Sequence, residues 1–77
     1  MKNWCKIIET KKYDVLVQRL SDNDNEEHIS ISLLCDGVLA CLKPGFGDDE
    51  KRADEAYINF NKAAAERTVK DIVKMLS

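Results

Sequence analysis

The run from Ile29 to Leu42 constrains this chain more than any other. Two apolar stretches flank Asp36-Gly37, and Asp-Gly in that setting is the strongest short signal for a β-hairpin. A two-residue turn pairs Cys35 with Val38, Leu34 with Leu39, Leu33 with Ala40, Ser32 with Cys41 and Ile31 with Leu42. Side chains alternate across a strand, so Ile29, Ile31, Leu33, Cys35, Val38, Ala40 and Leu42 share one apolar face, the expected core. His28, Ser30, Ser32, Leu34, Leu39, Cys41 and Lys43 share the other, which is apolar only near the turn.

The flanking segments extend the sheet. Trp4 to Thr10 reads as a first strand, with Trp4 and Ile8 opposed to Cys5 and Ile7. Lys11-Lys12 connects it, although neither residue favours the positive φ of a tight hairpin. Tyr13 to Leu20 is rich in β-formers, with Tyr13, Val15 and Val17 alternating against Asp14, Leu16, Gln18 and Leu20. Ser21 to Asn25 is a polar loop. Pro44-Gly45 fits the central positions of a type II turn that closes the hairpin.

From Asp48 to Ser77 there is neither Gly nor Pro. At 100° per residue, Ala53, Ala56, Tyr57, Phe60 and Ala64 lie about 150° from Val69, Ile72, Val73 and Leu76. One straight helix cannot bury both sets, so the chain breaks near Asn61. Ala56, Ile58 and Phe60 alternate with Tyr57, Asn59 and Asn61, which reads as a fifth strand, although Asp48 to Glu55 also suits a helix start. Asn61 then caps a helix from Lys62 to Leu76 that buries Ala65, Val69, Ile72, Val73 and Leu76. Lys62–Glu66, Glu66–Lys70 and Arg67–Asp71 are spaced for i,i+4 ion pairs. The expected fold is α+β: an antiparallel meander of four to five strands with one C-terminal helix packed on one face.

Seventy-seven residues bound this to one domain over residues 1–77. Apolar residues at 44% supply a core, and charged residues at 34% suit a soluble surface. No apolar run reaches the length of a membrane span and Met1 to Trp4 leads into no signal core, so a cytoplasmic protein with no membrane partner is expected. A net charge of −2 lacks the basic surplus of a nucleic-acid binder, and none is expected as a partner.

No motif carries recognisable chemistry. The three cysteines form no CxxC pair, and the hairpin register sets Cys35 and Cys41 on opposite faces, so all three read as small core residues without a metal or cofactor. His28 is about 13 Å along the strands from the position of Cys41, too far for a nucleophile pair. Asp22 to Glu26 begins like a calcium loop, but Glu27 stands where glycine is needed and Leu33 where a bidentate Glu is needed. The Pro44 to Gly47 cluster lacks the spacing of a phosphate loop.

The remaining feature is the second sheet face. One helix covers one face, which leaves Leu34, Leu39 and Cys41, joined by Leu16 and Leu20 of the second strand, as a contact surface for a second copy or a protein partner. The sequence therefore favours a non-catalytic interaction or accessory module, possessing no assigned catalytic residue. One alternative is a small-ligand binder or enzyme with a pocket between helix and sheet, using Tyr57, Cys5 or His28. Another is an inhibitor that presents Asp22, Asp24, Glu26, Glu27 and Asp48 to Glu50 to a basic partner.

Overall fold

The structure, a computed structural model, describes residues 3–21 and 26–76. Strands β1 (Asn3–Glu9), β2 (Asp14–Ser21), β3 (Glu27–Leu34) and β4 (Val38–Leu42) form an antiparallel sheet in the order β1-β2-β3-β4. The expected meander is present, and β1 and β2 keep the predicted alternation. The Lys11-Lys12 turn is tight without positive φ at either lysine. Thr10 resolves the conflict: its backbone N–H and its hydroxyl both donate to Tyr13 O, and the hydroxyl accepts from the Tyr13 N–H at 3.3 Å.

The central hairpin keeps three of its expected pairs: Ile31 with Leu42, Ser32 with Cys41 and Leu33 with Ala40. It departs at the turn. The register shifts between Leu33 and Leu34, so Leu34 opposes Val38 rather than Leu39. The extra residue makes Leu39 a β-bulge, and Cys35 N–H donates to Gly37 O instead of pairing with Val38. Asp36 and Gly37 do take positive φ, of 54° and 118°. Cys35 and Val38 therefore leave the core face, and both are exposed; Leu42, at the far end of β4, keeps its register but is exposed as well. Beyond β4, Pro44-Gly45 is not the turn. Pro44 O accepts from Ile29 N–H, Gly45 bridges His28, and Phe46 N–H donates to Glu27 O. The missing N–H of Pro44 leaves no gap there because its carbonyl makes the contact. The chain bends at Gly47, with φ of 60°.

Residues 50–59 form a helix, α1 (Glu50–Asn59), and not a fifth strand. Asp49 caps it by accepting from the Arg52 N–H at 3.0 Å, and the spacing of Ala53 and Tyr57 puts both into the core. The apparent strand alternation was incidental: Ile58 is exposed. Phe60 is extended, with φ −76° and ψ 99°, and this makes the predicted break. Asn61 then caps α2 (Lys62–Leu76) through its side-chain oxygen, which accepts from Ala64 N–H at 3.0 Å. Ala65 and Ile72 are buried and Val69 is half-buried, whereas Val73 and Leu76, expected in the same stripe, are exposed. The three i,i+4 pairs expected on α2 do not close into ion pairs among the described residues.

Two apolar stripes that one helix cannot bury are thus divided between two helices. Both join the core formed by Val15, Val17, Ile29, Ile31 and Leu33, with α1 packed on β2 and β3 and α2 against β1. The C-terminal end of α1 has no basic residue of its own. Lys6 on β1 supplies one: its Nζ donates to Tyr57 O at 2.7 Å and lies 4.4 Å from the centre of the Tyr57 ring. Trp4 meets the same ring edge-on at 5.7 Å.

The core face also holds a charge. Arg19 is fully buried, on the side of β2 that carries Val15 and Val17. Its Nε donates to Asp54 of α1 at 2.9 Å, Nη1 to Leu20 O at 2.8 Å, and Nη2 to Glu27 of β3 at 3.2 Å. Ser21 donates its hydroxyl to the same Glu27 oxygen at 2.9 Å. Removing one partner of a buried ion pair leaves an uncompensated charge and costs about 3–5 kcal/mol. Arg19→Met should lose that much stability in urea denaturation, a large share of the ~4–12 kcal/mol expected for a chain of this size. Arg19→Met with Glu27→Leu should recover part of it, because the carboxylate facing Arg19 from β3 is then removed with it while Asp54 still loses its Arg19 contact.

Candidate functional site

Because both helices lie on one side, nothing among the described residues covers the other side of the sheet. The strand registers arrange that open face in rows. Ile7, Leu16, Ser32 and Cys41 run across one row, Cys5, Gln18 and Ser30 across the next. Asn3, Leu20 and His28 lie at one end, and Glu9, Asp14, Leu34 and Val38 at the other. Leu16, Leu20 and Leu34 are half-buried, Ile7 is 60% exposed, and the central rows carry no charge on β1, β2 or β3.

Of the four residues singled out from sequence, Leu16, Leu34 and Cys41 share this face. Leu16 and Cys41 flank Ser32 directly, and Leu34 lies two residues along β3 from Ser32. Leu39 is not opposite Leu34, since it occupies the bulge, and it is 46% exposed.

The cysteines correct the core reading. Cys5, Cys35 and Cys41 are all free and exposed. Cys41 has a specific setting. The hydroxyls of Ser30 and Ser32 lie 3.4 and 3.5 Å from its Sγ, and both serines are buried between longer side chains of neighbouring strands. Hydrogen bonds from Ser30 and then Ser32 hold the thiol below its ordinary value, against the opposing effect of burial, and Lys43 adds the smallest contribution. Sequence alternation placed Ser32 beside Cys41, but it did not indicate that two hydroxyls would converge on one sulfur.

The residues offered for a helix–sheet pocket do not converge. Tyr57 packs in the core, where burial, followed by the charge of Cys5, pushes its phenol up. His28 and Cys5 lie on the open face on strands separated by β2. Lys6 is pushed down by burial. Among the described residues no three His, Cys, Asp or Glu side chains form a metal-binding group. Asp22 to Asn25, which carry the calcium-loop reading and part of the acidic-inhibitor reading, lie outside the described residues.

A groove of about 440 Å³ does lie between a helix and the sheet, at a place the sequence did not indicate. It runs between the β1–β2 turn and α2. Tyr13, Val69 and Val73 give it apolar walls, and Lys11, Lys12, Lys70 and Glu66 line the remainder with Thr10. No helix among the described residues is long and apolar enough to cross a membrane. Comparison with protein-family models, curated proteins and solved structures finds no match for this chain.

The setting of Cys41 makes a direct prediction. The pH midpoint of its alkylation by iodoacetamide, followed by mass spectrometry of the folded protein, should fall below that of the same cysteine in the urea-unfolded chain. Ser30→Ala with Ser32→Ala should move that midpoint upward, since the thiolate then loses both hydroxyl donors.

Proposed function

We propose that this chain is a non-catalytic interaction module that associates with a second copy of itself through the open face of its sheet. The observation that supports this is the placement of both helices on one side, which leaves Ile7, Leu16, Leu20 and Leu34 without a cover. A second copy fits the chemistry of the surface. Gln18 carries both a donor and an acceptor, so the same residue on a facing sheet satisfies it. Acidic Glu9 and Asp14 sit at one end and His28 at the other. A two-fold axis at the level of Gln18 that sets the strands antiparallel brings the two Gln18 amides together and keeps each acidic end off the acidic end of its partner.

The size of the surface sets the strength. Four strands of this length present roughly 400 Å², about half the ~800 Å² per partner of a standard stable interface. The dimer is therefore weak, with Kd on the order of micromolar or above. Three free thiols suit a reducing compartment, which agrees with a cytoplasmic setting.

Size-exclusion chromatography with light scattering across a concentration series tests the reading. The mass should rise from 8.8 kDa toward twice that value as concentration enters the high micromolar range. Leu16→Lys with Leu34→Lys should hold the chain at the monomer mass while leaving its thermal unfolding within a few degrees of the original. A chain that stays monomeric at millimolar concentration refutes self-association.

A further inference from the structure

The groove beside α2 is independent of the open sheet face and has a chemistry of its own. Its apolar part is formed by Tyr13, Val69 and Val73, where Val69 also packs against the core. Around it stand three lysines and one glutamate, so its lining carries a net positive charge. Lys11 and Lys12 come from the β1–β2 turn and Lys70 from α2, so the cations approach from both sides. None of the three, nor Glu66, makes an ion pair or a side-chain hydrogen bond among the described residues. Glu66 and Lys70 are one helical turn apart and still do not pair, so the Lys70 ammonium is available to a ligand.

We propose that this groove binds a small amphipathic anion, an aliphatic chain carrying a single carboxylate, with the chain against Tyr13, Val69 and Val73 and the carboxylate among Lys11, Lys12 and Lys70. Charge complementarity selects the head group. A carboxylate gains from three unpaired ammonium groups, a neutral alcohol gains only hydrogen bonds, and a quaternary ammonium is repelled. The apolar walls select the tail. A volume of about 440 Å³ lies within the range of small-molecule sites, and it holds a medium-length chain and not a folded partner. Because the lysines are exposed, the head-group contribution is screened by salt, and affinity falls as ionic strength rises.

The test is an NMR chemical-shift titration of the full chain with decanoate, decanol and decyltrimethylammonium. Decanoate should give saturable shifts at Tyr13, Val69 and Val73 with Kd on the order of 0.1 mM. Decanol should bind more weakly by about tenfold, and the ammonium compound should give no saturable shift at the same positions. Lys12→Glu with Lys70→Glu, both on exposed side chains, should abolish the preference for decanoate over decanol while leaving the spectrum folded. Equal affinity for all three head groups overturns the proposal, as does unchanged decanoate binding by the double variant. Shifts confined to Ile7, Leu16 and Leu34, or no shift at millimolar decanoate, overturn it too. None of these results bears on whether the chain dimerises.

Discussion

The guanidinium of Arg19 joins the sheet to its first helix. It is buried on the face of β2 that otherwise carries valines, and its hydrogen bonds reach β3 through Glu27 and α1 through Asp54. A weaker contact, 3.5 Å to Glu50 O, touches the first turn of the same helix. A buried charge is tolerated only where it is paired and its hydrogen bonds are made, and such a network has far fewer satisfactory geometries than an apolar contact. Valine and isoleucine would accept α1 in several positions across the sheet. Arg19 accepts it where Asp54 meets Nε. With α1 fixed there, the two-residue link at Phe60 and Asn61 sends α2 back over the same face, against β1. The coverage of one face and the bareness of the other follow from that arrangement.

Much of this fold was legible in the sequence, and the reasons differ by element. Alternation in β1, β2 and β3 placed their side chains correctly because a sheet buried on one face cannot slip by one residue without exposing its core. The 150° offset between two apolar stripes demanded a chain break, and Asn61 marked its place. Local preference misled where two patterns coincided: Ala56, Ile58 and Phe60 alternate, but Asp49 as a cap and the Ala53–Tyr57 spacing decided for a helix. The turn failed by one residue. Asp36-Gly37 supplies positive φ as expected, yet the bulge at Leu39 sends Cys35 and Val38 out to solvent. Arg19 shares its parity with Val15 and Val17, and Glu27 shares its parity with Ile29, Ile31 and Leu33. Those two facts together form a sequence signal for a buried ion pair.

The candidate sites divide along the same line. Leu16, Leu34 and Cys41 were readable because a strand register is a local rule that extends across neighbours. The convergence of Ser30 and Ser32 on Cys41 was half readable, since the register gives Ser32 and the diagonal gives Ser30, but the direction of a hydroxyl depends on packing. The groove beside α2 was not readable. Lys12 and Lys70 stand far apart in the chain, and their meeting depends on where the helix pair docks, which Arg19 and the Phe60–Asn61 link determine.

The two faces of the sheet meet the cost of polar groups in different ways, and this bears on whether the open face can be covered. On the covered face, a charge is matched by two carboxylates and two backbone carbonyls. On the open face, the polar atoms nearest the centre are two serine hydroxyls, and each is already within bonding distance of the Cys41 sulfur. Removing water from a hydroxyl with a partner costs much less than stranding one without. The buried serines therefore raise no large barrier to burial of this face. Gln18 is different, because its amide has more donors and acceptors than its neighbours on the same face supply. A purely apolar partner would leave that amide unsatisfied, whereas a surface with an amide of its own would pair with it. The open face thus discriminates by one residue between an apolar cover and a cover like itself.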